Sequence, residues 1–339
     1  MRTVSISAAI VATIVLFGCA DAPQRPPTVP EAPVAQQGAV LARDDAFAIV
    51  VVGPGEDLAT LAQRHLGDRG KRWWIAEFNN IDEVRPGQAV AIPLKPVNPT
   101  GVYANGFATV PILCYHRFGP RSSQLAVTPA AFEAQMDYLA RNGYHVLSMS
   151  RFAGFLERGE PVPRKSVVLT IDDGYRSTYE VAFPILRKYG FPATVFLYSD
   201  FVGAPDALTW PQMKELQASG LIDIQPHSKT HSNLTVRLAG ESDAKYRDRM
   251  RAEVEMPIRL IQDRLAEGSL VYAFPYGDVN ETVVDLLKRQ GVRLGVTVTP
   301  GGNGFFAYPY MLRRSMVFGG DSIDVFKSKL ATFTQATPR

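Results

Sequence analysis

Asp172 and Asp173 stand together at the end of the apolar run Val167-Val168-Leu169-Thr170-Ile171 and are followed by Gly174. Like charges side by side repel, so such a pair implies a compensating cation, a shared proton or open solvent. Further along, His227 and His231 in PHSKTH are four residues apart, a spacing that places both imidazoles on one face of a helical turn and suits two ligands of one divalent metal. Two imidazoles and one carboxylate form an open site with positions left for water and substrate. The sequence holds five histidines. His116 in CYHRF, His227 and His231 fall at the ends of expected strands, whereas His65 and His145 read as ordinary helix, surface or core residues. Spacing does not say which aspartate faces a metal and which moves a proton.

The elements that must position these groups alternate. Strand-like runs cover Val110–Cys114, Val167–Ile171, Ala193–Tyr198, Leu221–Gln225, Leu270–Phe274 and Leu294–Val298, with helical patterns between them at Pro129–Asn142, Trp210–Ser219, Ala244–Ala266 and Glu281–Gln290. This order predicts an α/β domain with a parallel sheet and helices outside it, closed into a barrel or open. In parallel barrels, groups far apart in sequence meet where strands end. A length of 339 residues exceeds what one core of about 150 residues needs, so two ordered domains are expected. A net charge of +3 without a long basic block excludes nucleic acid as the expected partner. The absence of G-x-S-x-G argues against a serine hydrolase.

The N-terminus pairs Arg2 with an apolar run from Ala8 to Phe17 that ends in Leu16-Phe17-Gly18-Cys19. The run is too short for a permanent membrane span and has the shape of a secretory signal. It resembles bacterial lipoprotein precursors, which implies a signal peptide over residues 1–18, lipidation of Cys19 and a membrane anchor. Ala20 after that cysteine points to the outer membrane, with the chain on its periplasmic side. Cys114 is then the sole other cysteine, so an intramolecular disulfide is not expected. Residues 19–46, rich in Pro, Ala and Gln, read as an extended tether. Residues 47–95 follow the order strand, helix, helix, strand, and PGEDLATLAQRHLG, NN and RPGQAVAIP resemble a lysin motif, a family that binds N-acetylglucosamine glycans such as peptidoglycan. The Glu56-Asp57 pair departs from that family's single acid. Trp73 and Trp74 are candidates for stacking on sugar rings, with at least one expected in the core.

Residues 107–335 carry TIDDG, HSKTH and FPYG in that order, and this part of the chain resembles the polysaccharide deacetylases of carbohydrate esterase family four. The resemblance implies a distorted (β/α) barrel and metal-dependent N-deacetylation of N-acetylhexosamine glycans. By position it makes Asp173, His227 and His231 ligands of a divalent metal, usually zinc. It makes Asp172 the general base and the backbone N–H of Tyr276 a donor to the oxyanion, with Pro275 and Trp210 near the substrate. Two departures stand out: VYAFPYG lacks the arginine that orients the base, and no histidine follows His231. Arg313 or Arg314 in MLRRSMV is expected to replace the arginine. In the circularly shifted branch resembling poly-N-acetylglucosamine deacetylases, the missing histidine comes from an N-terminal YH, which makes His116 the general acid. The expected substrate is an exported poly-N-acetylglucosamine-like polymer. The alternatives are peptidoglycan itself, and a non-catalytic wall-binding lipoprotein whose barrel has decayed.

Overall fold

The computed structural model describes residues 38–336. The expected signal peptide, Cys19 and most of the expected tether lie outside the described residues.

The N-terminal domain begins with β1 (Val40–Arg43), β2 (Phe47–Val51), α1 (Leu58–Leu66), α2 (Arg72–Asn79) and β3 (Ala89–Pro93). The three strands form an antiparallel sheet in the order β1-β2-β3. The expected tether boundary at residue 46 is therefore too late: β1 is exposed along its length, yet its backbone pairs with β2. Edge pairing needs only N–H and C=O groups, so it leaves no apolar pattern to read. Ala48 and Val50 point inward from β2 while Ile49 points out, and with Leu58, Leu61, Ala62, Ile75, Val90 and Ile92 they make a separate small core. The two acids before α1 have separate tasks. Glu56 accepts from the N–H of Gly53 and pairs with Arg64, whereas Asp57 caps α1 in a reciprocal box with Thr60. Neither tryptophan is in that core, contrary to expectation, because Ile75 fills the inward position of α2. Trp73 and Trp74 are half-buried and line a cleft shared with Phe155 and Pro163 of the larger domain.

The larger domain runs β4 (Val110–Tyr115), α3 (Pro129–Arg141), β5 (His145–Leu147), α4 (Met149–Arg158), β6 (Ser166–Ile171), α5 (Phe183–Tyr189), β7 (Ala193–Leu197), α6 (Trp210–Ala218), β8 (Ile222–Pro226), α7 (Asp243–Leu265), β9 (Val271–Ala273), α8 (Glu281–Arg289), β10 (Leu294–Val296), β11 (Ser315–Met316) and α9 (Ile323–Ser328). Polar caps set the starts of the helices: Thr128, Ser148, Thr209, Ser242 and Asn280 each accept a first-turn N–H. The strands β8-β7-β6-β4-β11 are neighbours in that order and all parallel, with β5 beside the first half of β6. Strands β4 and β6 are buried from end to end, which explains their unbroken apolar runs.

The second group, β9 and β10, is also parallel, and a bridge from Val296 to Leu312 joins it to the segment that enters β11. Among the described residues no ladder joins β8 to β9. Side chains close this seam instead: Gln225 Oε1 accepts from the N–H groups of Leu270 and Val271 at 2.9 and 3.1 Å. The result is an α/β domain shaped as a distorted barrel that is interrupted between β8 and β9 and bridged there by side chains. Its ends are tied together by Phe333–Gln335, which pairs antiparallel with Gly106–Ala108 beside the entry to β4. Because the barrel strands are parallel, Tyr115, Ile171, Pro226 and Ala273 all end at one rim.

Candidate active site

Asp172 continues β6 by one bond, its N–H donating to Tyr115 O at 2.8 Å. Its carboxylate is buried and held by a two-pronged contact from Arg314, Nη1 to Oδ1 at 2.7 Å and Nη2 to Oδ2 at 2.8 Å. Arg314 is itself fully buried and donates further to Thr297 O and to Thr170 Oγ1. Of the two arginines considered, Arg314 thus faces the acid pair, while Arg313 donates to Pro300 O and its backbone pairs with Asn303. Neighbours in an extended segment point to opposite sides, so only one could do so. Burial pushes the Asp172 carboxyl up, but the Arg314 charge and its hydrogen bonds, helped by His227, hold it well below the usual carboxylate range. Cys114 adds a third donor, its Sγ lying 3.4 Å from Asp172 Oδ2.

Asp173 leaves the strand in the left-handed region at φ 73°, followed by Gly174 at φ 79°. The sharp turn therefore starts on the acid itself, one residue earlier than the glycine suggests, and both carboxylates still reach one imidazole, Asp172 Oδ2 at 3.8 Å and Asp173 Oδ1 at 3.7 Å from His227 Nε2. Asp173 Oδ1 also lies 3.3 Å from His231 Nε2, and this buried oxygen has no hydrogen-bond partner. The Nδ1–H of His227 donates to Ala273 O at 2.8 Å, so its Nε2 carries a lone pair toward the carboxylate. Burial lowers the pKa of His227 to about 4 and also lowers that of His231, which keeps both rings neutral at neutral pH. Burial raises Asp173 to about 6, with the Asp172 charge adding to the rise and His116 opposing it.

One carboxylate oxygen and two imidazole nitrogens thus converge, all within 4.8 Å of one another. That donor set fits a divalent cation: ligands about 2.0–2.1 Å from a tetrahedral ion sit about 3.3 Å apart. The histidines do not meet as expected, however. No helical turn joins them. They converge because Ser228 at φ 74° and His231 at φ 61° fold residues 227–231 into a tight loop, in which Ser228 Oγ accepts the N–H of His231.

His116 follows β4 on the same rim. It is half-buried, its Nδ1 is enclosed without a partner, and it groups with Cys114 and Asp172. Tyr276 lies in the turn Pro275–Gly277 at φ 62° and ψ 1°. The N–H groups of Gly277 and Asp278 are engaged by Phe274 O and Pro275 O. A Cβ on Gly277 would come within 2.6 Å of Val298 N, so only glycine lets this turn pack against the strand end. Pro275 is buried under the turn, whereas the Tyr276 ring is exposed and packs edge-on against His231 at 5.0 Å. The Tyr198 ring also lies against His231, at 5.3 Å.

Trp210, expected near the substrate, opens α6, packs on the main core and has the Arg264 guanidinium 5.9 Å from its ring. The sequence reading missed Cys114 and Glu253. Cys114 carries no signal of its own, but Glu253 is an acid inside the buried stripe Met250, Val254, Pro257 and Ile258 of α7.

Comparison with known proteins gives one family, polysaccharide deacetylase, matched over residues 159–295. The Bacillus subtilis protein YxkH, named for the same family, is 31% identical over 219 residues, covering 65% of this chain and 75% of YxkH. The poly-β-1,6-N-acetyl-D-glucosamine N-deacetylase of Escherichia coli K12 is 25% identical over 63% of this chain, and the chain spans only 37% of that protein's length. The Staphylococcus epidermidis protein of the same name is 27% identical over 53% of this chain and 65% of its own. Among solved structures, the Streptococcus pyogenes deacetylase PplD, in complex with acetate, matches with a TM-score of 0.60 and 27% identity over 66% of this chain and 98% of that one. IcaB from Ammonifex degensii matches with a TM-score of 0.59 at the same identity and coverage.

Proposed function

This chain belongs to the polysaccharide deacetylase family, and from that premise we propose that it removes acetyl groups from an exported poly-N-acetylglucosamine-like polymer, using a divalent cation held by Asp173, His227 and His231. The observation that carries the reading is the partnerless Asp173 Oδ1 between two neutral imidazoles, with a second carboxylate clamped beside it. The names of the Escherichia coli and Staphylococcus relatives support the polymer class. We take the cation to be zinc, which suits two nitrogens and one oxygen in an open site. When bound, such an ion supplies Lewis-acid polarisation and makes water acidic enough to serve as a nucleophile at neutral pH.

The residues of the chain then have distinct tasks. Asp172, kept ionised by Arg314, accepts the proton of the attacking water. The N–H of Tyr276 donates to the acetamide oxygen as that atom gains charge. His116 hands a proton to the amide nitrogen, which leaves poorly without one. Acetate and a free amine are the products. The test is acetate release from poly-N-acetylglucosamine oligomers by the purified chain, with metal content measured alongside. A metal-loaded protein that releases no acetate from any N-acetylated glycan would exclude the activity.

A second substrate, peptidoglycan, is favoured by the N-terminal domain, whose helix pair on a small sheet accompanies the lysin-motif sequence pattern. We propose that this domain binds N-acetylglucosamine glycan of the wall, and that Cys19 anchors the chain by lipid to the periplasmic face of the outer membrane. Parallel assays on both polymers separate the two substrates. Metabolic labelling with a fatty acid, lost in Cys19→Ala, tests the anchor.

A further inference from the structure

Glu253 sits on α7, more than twenty residues along the chain from the nearest candidate ligand, His231, and its carboxylate is buried. Its Oε2 accepts the backbone N–H groups of Lys229 and Thr230 at 3.0 and 2.9 Å, and its Oε1 accepts the Thr230 hydroxyl at 2.7 Å. These two residues are the crest of the loop between His227 and His231. One end of that loop is fixed by β8 and by the bond from His227 to Ala273 O. The other end reaches His231 through two residues in the left-handed region, Ser228 and His231 itself, a backbone path that costs free energy in non-glycine residues.

We propose that Glu253 is a positioning residue of the metal site, holding the 229–230 crest so that His231 Nε2 stays in register with His227 and Asp173. The inference rests on the metal-site reading. A buried acid is costly unless its oxygens are satisfied, and at this place in the α7 stripe an aliphatic side chain would pack on Met250 and Val254 at no such cost. What the acid adds is a template for three donors of one loop. Partners that orient metal ligands typically change metal affinity by about 10–100-fold when removed.

The experiment measures zinc affinity of the full chain by chelator competition, together with thermal stability of the metal-free protein, for Glu253→Ala, Glu253→Gln, Thr230→Val and, as a control on the exposed face of α7, Met256→Ala. The expected result is zinc binding weakened about 10–100-fold in Glu253→Ala and less in Thr230→Val, which loses one of the three donors. Glu253→Gln keeps an oxygen acceptor for the two N–H groups and should recover most of the affinity. Met256→Ala should match the parent. Unchanged affinity in a folded Glu253→Ala protein would overturn the proposal. So would equal losses in Gln and Ala, since charge rather than loop geometry would then be responsible. Should Glu253→Ala fail to fold, Glu253→Gln and Thr230→Val carry the test. A parent protein that binds no zinc would instead overturn the metal-site reading.

Discussion

Asp57 of the small N-terminal domain and Asp173 of the barrel are both carboxylates at a turn where one element gives way to the next, and their surroundings differ in kind. Asp57 is solvated and extended, its Oδ1 accepting the N–H of Thr60 while the Thr60 hydroxyl accepts the N–H of Asp57. Asp173 is buried, left-handed and missing a partner for one oxygen. The same contrast holds for whole regions. The small domain obeys local rules of capping, alternation and apolar spacing, with Asn79 tying α2 to β3 through both backbone groups of Ala91. The barrel rim breaks them at Asp173, Ser228, His231 and Tyr276, each at positive φ. Elsewhere among the described residues a positive φ in a non-glycine residue ends a helix, at Asn80 and Ala266, or makes a turn, at Asn98, whereas the four at the rim cluster around the candidate ligands and end no helix, which marks where the fold holds groups for a purpose other than stability.

This contrast can be broken by mutation. At the rim, His227→Ala should abolish metal binding and lower turnover by about 10³-fold, equivalent to about 4 kcal/mol of transition-state stabilisation, as read by metal content and acetate release. Asp172→Asn should lower turnover by about 10²–10⁴-fold with the metal retained, because it removes the proton acceptor and not a ligand. Retained turnover in either variant would remove the assignment. Arg314→Met leaves the Asp172 charge buried and unpaired, so denaturant unfolding should show a loss of about 3–5 kcal/mol, and turnover should fall with it.

Acid sharpens the comparison further. In the metal-free protein Asp173 holds its proton up to about pH 6, and a cation must displace that proton. Metal affinity should therefore be flat above this value and fall by about tenfold per pH unit below it. His227, lowered to about 4, should compete only further down. Calorimetric titrations between pH 5 and pH 8 would check both the sign and the position of the break. In the small domain, Asp57→Ala should cost about 1 kcal/mol of stability and leave acetate release from short oligomers unchanged.

Much of this was legible along the chain. The unbroken runs Val110–Cys114 and Val167–Ile171 marked strands buried on both faces, and the polar residues after them marked one rim. Where the signal failed, the cause was an interaction with no sequence period. The strand Val40–Arg43 pairs through its backbone and shows nothing in its side chains. Trp210 was expected near the substrate, but its packing against the core and Arg264 depends on where α7 runs. Cys114 reaches Asp172 only because β4 and β6 are neighbours in parallel register.

The sequence by itself determined the alternation of strands and helices, the small domain's caps and core, and a set of acids and histidines placed at strand ends. Local physics is enough for these, since capping bonds and hydrophobic periodicity involve residues a few positions apart. Only the tertiary structure decided that Arg314 and not Arg313 faces the base, that a strained loop and not a helical turn unites the two histidines, and that Glu253 supports that loop. Those choices depend on which elements become neighbours when the barrel forms, with the seam between β8 and β9 bridged by side chains rather than by a ladder.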